Sequence, residues 1–445
     1  MSKYNPVSFS LSFKGRLEGT LDNLLILLSA YKGGDYYAYE REESWHVGVG
    51  SRASLILNPI GDNVTIFTAE KKQSLDVTSN FTEIARQFIS DYSKPGSKVF
   101  GQVGFNYAAR IRGLDFRPGC WPLVSLMVPE TEILLQDNII KISSGDDNMA
   151  KEMYEMLSNS LATDIHSKPL QIDINENRQV YMDTVSHAVS AIHEGQFSKV
   201  IASRAVGVPR RVDMASTLIQ GRQSNTPRRS FSLNHSGFQA TGFSPELVFL
   251  VEDGKVITEP LAGTKRIQET GVQHTSLTNE LQNDPKEVFE HAVSVREAIS
   301  ELRQICSPGT VVVEDFMSVR ARGSVQHLGS RVAGRLLPEK DGWDALGVMF
   351  PSITASGIPK TAAMAFIAQY ESRPRELYSG AVMMLENPDF FETTLVLRTV
   401  FQDQYRSWIQ AGAGIISMST PQREFTETCE KLESIAPHII ADTET

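Results

Sequence analysis

Apolar residues recur along the chain with two periods, every second position and every third or fourth, and these divide it into strands and helices. Residues 54–57 and 64–67 flank Asn58-Pro59-Ile60-Gly61-Asp62-Asn63, a turn-forming run, and predict a hairpin. Helices are predicted over 82–92, 180–193 and 286–306, and polar runs at 143–147 and 167–169 read as connections. Strands are predicted over 197–208, over 238–251 and 255–260 joined at Glu252-Asp253-Gly254, and over 393–402 and 408–417 as an antiparallel pair. Strands joined by hairpins, with helices gathered elsewhere, predict an α+β fold of large antiparallel sheets with surrounding helices. No fixed-period repeat or low-complexity tract interrupts the pattern.

Two helical stretches carry acidic residues three apart. Glu287 and Glu290 share a face in Lys286-Glu287-Val288-Phe289-Glu290-His291, as do Glu424 and Glu427 in Glu424-Phe425-Thr426-Glu427-Thr428-Cys429-Glu430-Lys431. If the two faces meet, four carboxylates converge. Like charges ~4 Å apart repel by roughly 4 kcal/mol at an effective dielectric of about 20. A hard divalent cation with oxygen ligands would offset that. Two solvated helix faces would give the same spacing, so the pattern alone leaves both readings open.

Composition narrows the classes. The 445 residues are 41% apolar and 22% charged, ordinary for a soluble globular protein, and could fill about three domains of average size. A net charge of -10 argues against a nucleic-acid surface but leaves room for a small anion held by local positive groups. Cys120, Cys306 and Cys429 lie too far apart in sequence to suggest a disulfide framework or a thiolate zinc site. The first 31 residues lack a basic start followed by an apolar run and a cleavage site, and Leu24-Leu25-Ile26-Leu27-Leu28 is too short to span a bilayer. A cytoplasmic location with no membrane partner is the expectation.

Several single residues stand out against their surroundings. Lys199 shares a strand face with Phe197 and Ile201, where burial would favour a neutral amine able to act as a base; a strand-edge lysine reaching water is the alternative. Arg398, on the face of Val396 and Val400, could grip a carboxylate through two hydrogen bonds or form a structural ion pair. Glu246 sits between apolar neighbours, where its pKa would rise as a general acid requires, unless a salt bridge holds it. The glycines of Ala411-Gly412-Ala413-Gly414-Ile415 permit close approach of a ligand or of another element. His327 reads equally as a core histidine. Gly48-Val49-Gly50-Ser51-Arg52-Ala53 fits a dinucleotide fingerprint, but strand and turn rather than helix follow it, so nucleotide binding is set aside.

Taken together, Lys199-Val200-Ile201-Ala202-Ser203-Arg204, Gly242-Phe243-Ser244-Pro245-Glu246-Leu247, Glu259-Pro260-Leu261-Ala262-Gly263-Thr264, the two acidic segments, 324–329, 352–360, 377–382 and 411–415 resemble the chorismate-utilising enzymes in order and spacing across 180–440. These are the anthranilate, aminodeoxychorismate, isochorismate and salicylate synthases. The branch most similar is the salicylate synthases of siderophore pathways, with similarity reaching into Val99-Phe100-Gly101-Gln102-Val103-Gly104-Phe105-Asn106. The resemblance implies one large α+β domain over 1–445, with 1–170 completing the sheets and 180–440 binding chorismate. It also implies water chemistry. Ammonia-using members generally carry another residue, often glutamine, in place of Lys199, and aminodeoxychorismate synthases typically carry lysine in place of Ala262.

By the same resemblance, Mg²⁺ held around Glu287, Glu290, Glu424 and Glu427 would bind the ring carboxylate of chorismate. Lys199 would deprotonate a water attacking ring carbon 2, and Glu246 would protonate the hydroxyl leaving carbon 4, which yields isochorismate. Tyr378, Arg398 and the backbone around Gly412 would hold the enolpyruvyl carboxylate, Thr264 would contact the substrate, and Lys431 would counter the charge of the ring carboxylate and the metal cluster. Loss of pyruvate to give salicylate would follow by a hydrogen shift in a compact substrate, with His327 lining the ring. The implied protein is a monomer that needs no glutamine amidotransferase subunit. Rival readings are an isochorismate synthase that releases its product, a binding protein that retains the fold, and an anthranilate-type synthase, against which Lys199 argues.

Overall fold

The computed structural model describes residues 7–12, 17–77, 80–136, 139–159, 168–266, 283–322, 325–386 and 389–443. Within them, 21 strands join through antiparallel pairings into one continuous network. The predicted hairpin forms: Ser44–Leu57 pairs with Asn63–Thr68, and Asn58 Oδ1 accepts the Gly61 amide at 2.8 Å to close the turn. The Ser44–Leu57 strand contains the glycine run 48–53, which is therefore sheet and not a phosphate loop. Leu247–Glu252 and Lys255–Thr258 are joined through Asp253 and Gly254, both at positive φ (50° and 71°), as the tightest hairpins require. The predicted helices correspond to Phe81–Tyr92, Arg178–His193 and Pro285–Leu302. In the first of these Asn80 caps the Thr82 amide, and Phe81, Ala85, Phe88 and Ile89 bury one stripe.

Two boundaries depart from expectation. Ser143 and Ser144 belong to the strand Ile139–Ser144, leaving only 145–146 as the connection to Asp147–Asn159. More consequentially, the two long strands predicted over 238–251 and 393–402 each break in two. They become Phe238–Ser244 with Leu247–Glu252, and Phe390–Leu395 with Thr399–Gln402. The pairs lie side by side in one ribbon with a common register, Gly242 opposite Thr399 and Leu247 opposite Thr394. The breaks therefore fall at the same level. Pro245 lacks the amide that would continue the ladder. In the break of the neighbouring strand, Arg398 takes a left-handed conformation (φ 50°). Neither Glu246 nor Arg398 lies within a strand, contrary to expectation.

The strand Lys199–Val208 pairs from Val200 onward with Ser407–Ile415, while at its start its other edge meets the strand Gly357–Ile358. Side chains occupy the rest of that edge. Glu371 Oε1 accepts the Ser203 amide at 2.8 Å, Asn177 donates to the Ala205 carbonyl at 3.1 Å, and Glu176 Oε2 accepts the Gly207 amide at 2.9 Å. Strands from the first third of the chain continue the later ones: Tyr36–Arg41 pairs with Arg229–His235, and Lys98–Val103 with Ala381–Glu386. Three apolar clusters fill the interior. Among the described residues no helix is long and apolar enough to cross a membrane.

Candidate active site

The ribbon break, the Ser407–Ile415 strand and the helices Pro285–Leu302 and Pro421–Leu432 border a cleft of about 910 Å³, its mouth included. Glu246, Glu287, Glu290, His327, Tyr378, Arg398, Gly412, Glu427 and Lys431 all line it. Lys199 reaches its wall through Glu290. Glu424 is fully buried on the inward stripe of its helix with Phe425, Thr428 and Leu432, and is not among the lining residues. Thr264 has its backbone in the strand Leu261–Arg266, but its side chain lies outside the described residues, as does Ser324 of a motif segment.

Glu246 emerges from the ribbon break and is 3% exposed. Its Oε1 accepts hydrogen bonds from Thr354 Oγ1 at 2.7 Å and Ser352 Oγ at 3.2 Å, while Oε2 is buried with no hydrogen-bond partner. Burial pushes its pKa up to about 8, against the two hydroxyls and the charge of Lys199, which pull it down. Near neutral pH it is a protonated acid, as a proton donor must be.

Lys199 was expected among apolar neighbours. It is 4% exposed, but its ammonium lies 2.7 Å from Glu290 Oε1, an ion pair whose angles fall outside those of a hydrogen bond. Glu290 thus occupies the ammonium, and base chemistry at Lys199 requires the pair to loosen. Gly414 leaves the space for it: a Cβ there would stand 3.0 Å from Glu290 Oε1 and 3.4 Å from Lys199 Cε.

Glu287 and Glu427 are also matched with cations. Arg423 lies 3.5 Å from Glu287, and Lys431 lies 2.8 Å from Glu427. Burial would lower the Lys431 pKa, but the charge and hydrogen bond of Glu427 outweigh it and hold the ammonium above its usual value. Lys431 also donates to the Gly412 carbonyl at 2.8 Å. Arg398 Nη2 lies 2.9 Å from His327 Nε2. A guanidinium only donates, so Nε2 accepts and the ring proton of a neutral His327 sits on Nδ1. His327 is thus a cleft residue with a cationic neighbour, not a core histidine.

Among the described residues, no three His, Cys, Asp or Glu side chains converge closely enough to hold a metal alone. The donor set nevertheless suits Mg²⁺, which takes one or two carboxylates and completes its octahedron with water and substrate oxygens. Glu287, Glu290 and Glu427 offer only oxygen and face one cleft.

Sequence reasoning missed two polar lining residues. Thr354 lies in the turn Ile353–Ala355 and bonds the acid. Gln410, on the strand two residues before Gly412, bonds Ser203, which in turn bonds Glu371. Thr354 lies inside the motif segment 352–360, but the partners of both residues are far away in sequence, so no local pattern marks their roles.

The sequence model of the chorismate binding enzymes matches residues 34–437, and the chain belongs to that family. Within it, the chain is 38% identical over 421 residues to a salicylate synthase from Mycolicibacterium paratuberculosis, covering 94% of this chain and 92% of the relative. Among solved structures, anthranilate synthase component I from Streptococcus pneumoniae superposes with a TM-score of 0.78 at 22% identity, covering 90% of this chain and 92% of that one. The menaquinone-specific isochorismate synthase from Escherichia coli superposes at 0.71 with 20% identity, covering 98% and 95%. These two likenesses establish the fold, an antiparallel α+β architecture as expected from sequence.

Proposed function

We propose that this protein is a salicylate synthase, converting chorismate by way of isochorismate to salicylate and pyruvate. The observation that carries this reading is a buried Glu246, its pKa pushed up to about 8, facing a set of carboxylates across one cleft, with the buried Lys199 paired to one of them. The similarity to a salicylate synthase over nearly the full length of both chains supports it.

In this reading Lys199 takes a proton from the water that attacks ring carbon 2. Glu246 gives its proton to the hydroxyl leaving carbon 4, so one water enters and one departs. Arg398 and Tyr378, beside the backbone of Gly412, hold the enolpyruvyl carboxylate, and Thr264 touches the substrate. Lys431 balances the charge near Glu427, and His327 lines the ring while pyruvate leaves. Glu287, Glu290 and Glu427, with Glu424 behind them, would hold Mg²⁺, which when bound polarises the ring carboxylate. We further read the chain as one α+β unit, 1–170 completing the sheets and 180–440 binding chorismate. We read it as a cytoplasmic monomer that works without an amidotransferase subunit and supplies a siderophore pathway.

Product analysis tests the assignment. Purified protein with chorismate and Mg²⁺ is expected to release salicylate and pyruvate in equal amounts, and EDTA to abolish both. Isochorismate accumulating without salicylate would move the protein to the isochorismate synthases. Unchanged chorismate would overturn the catalytic reading.

A further inference from the structure

The carboxyl of Glu246 has two oxygens in unlike surroundings. Oε1 faces the turn Ile353–Ala355 and the residue that opens it, Ser352. Oε2 is buried with no hydrogen-bond partner. The hydrogen bonds of the turn have a fixed direction. The Thr354 backbone N–H can only donate, and it donates to Ser352 Oγ at 3.3 Å. Ser352 Oγ keeps one proton to give, and Thr354 Oγ1 lies 3.1 Å away, closer than Glu246 Oε1 at 3.2 Å. Thr354 Oγ1 then gives its own proton to Oε1 over 2.7 Å, the shortest of these three hydroxyl contacts. Every link points at Oε1, which is therefore an acceptor and cannot itself hold the proton without breaking the chain.

We propose that Thr354 is a positioning residue that directs the transferable proton of Glu246 to Oε2. The proposal deepens the salicylate synthase reading and rests on it for the identity of the proton's acceptor. On Oε2 the proton meets no protein group, so the departing hydroxyl of the substrate is the partner it lacks. In the step itself the C–O bond at carbon 4 breaks, its electron pair stays on oxygen, and the Oε2 proton completes a water. The negative charge left on Glu246 then rests partly on Oε1, where Thr354 already donates. The same hydroxyl thus orients the acid before the step and stabilises its conjugate base after it. Lys199 and Glu259 are the charged groups that act on this carboxyl, the first favouring ionisation and the second opposing it.

Thr354→Val, nearly equal in volume, removes the donor. It is expected to lower kcat for isochorismate formation on the order of ten- to a hundredfold with little change in KM. It is also expected to move the basic limb of the kcat–pH profile upward, because the ionised form loses its closest donor. Thr354→Ser should restore both. Ser352→Ala, which removes only the start of the chain, should move both in the same direction by less. Infrared difference spectra give a readout without turnover. The protonated carboxyl band that Glu246→Gln deletes should shift to higher frequency in Thr354→Val. An unmoved pH limb together with an unmoved band would overturn the proposal. A wild-type enzyme that leaves chorismate untouched would instead overturn the function, and the infrared comparison would still decide the position of the proton.

Discussion

At the scale of single residues, the behaviour of Glu246 follows from its burial. Its carboxyl is raised from an ordinary 4.5 to about 8. Between those values the folded chain holds a proton that the unfolded chain has released. Its contribution to stability is therefore complete below the lower value and is lost as pH rises through the upper one. Turnover should fall over the same upper range, as the acid loses its proton. Glu246→Gln is expected to abolish isochorismate formation while leaving Mg²⁺ binding nearly intact, and to flatten the loss of stability toward pH 8 in urea titrations. Normal turnover by that variant would remove Glu246 from the chemistry. Glu246 and Lys199 could be noticed in sequence because each is an ionisable residue in an apolar stretch. Thr354 lies in the motif segment 352–360, but its role was not visible there: a threonine in a turn is ordinary, and its partner lies 108 residues away.

At the scale of elements, the sequence periodicity located the strands but did not reveal where they stop. The break at 245–246 had a visible cause in Pro245. The one opposite it did not, because arginine rarely adopts the left-handed conformation found at Arg398. These paired interruptions free two side chains from the alternation of a strand and turn both into the cleft. The glycines of the Ser407–Ile415 strand divide in the same physical terms. A Cβ at Gly412 would meet the Ala202 backbone carbonyl at 2.7 Å, a neighbour fixed by the ladder, whereas at Gly414 it would meet only side-chain atoms. Gly412→Ala is therefore expected to cost about 1–3 kcal/mol of stability, read from thermal or urea melts. Gly414→Ala should melt close to wild type but lower kcat, by pressing on the Lys199–Glu290 pair. Equal stability losses in both variants would contradict this division.

At the scale of the molecule, a buried charge cluster ties the early strands to the late ones. Glu392 is 0% exposed and takes two bonds of 2.6 Å from Arg229 and one of 2.8 Å from Tyr39, with Arg41 at 3.7 Å. Burial alone would raise its pKa, but the Arg229 hydrogen bonds and charge hold it below the usual value. Its stabilising effect is thus present above the ordinary carboxylate range and lost as pH falls below it. Glu392→Gln leaves Arg229 buried without its counter-charge and is expected to lose roughly 3–5 kcal/mol, with KM for chorismate unchanged. A melt near wild type would show that the cluster is dispensable. Such a link was beyond the reach of local pattern, since its members lie as far apart as residues 39 and 392. The capped edge along 203–207 has a further consequence. A bare strand edge can template the growth of a fibril, one chain adding to the next. Here Glu371, Asn177 and Glu176 already hold outward backbone groups of the strand that begins at Lys199. Those backbone groups are thereby withheld from a second chain as a template.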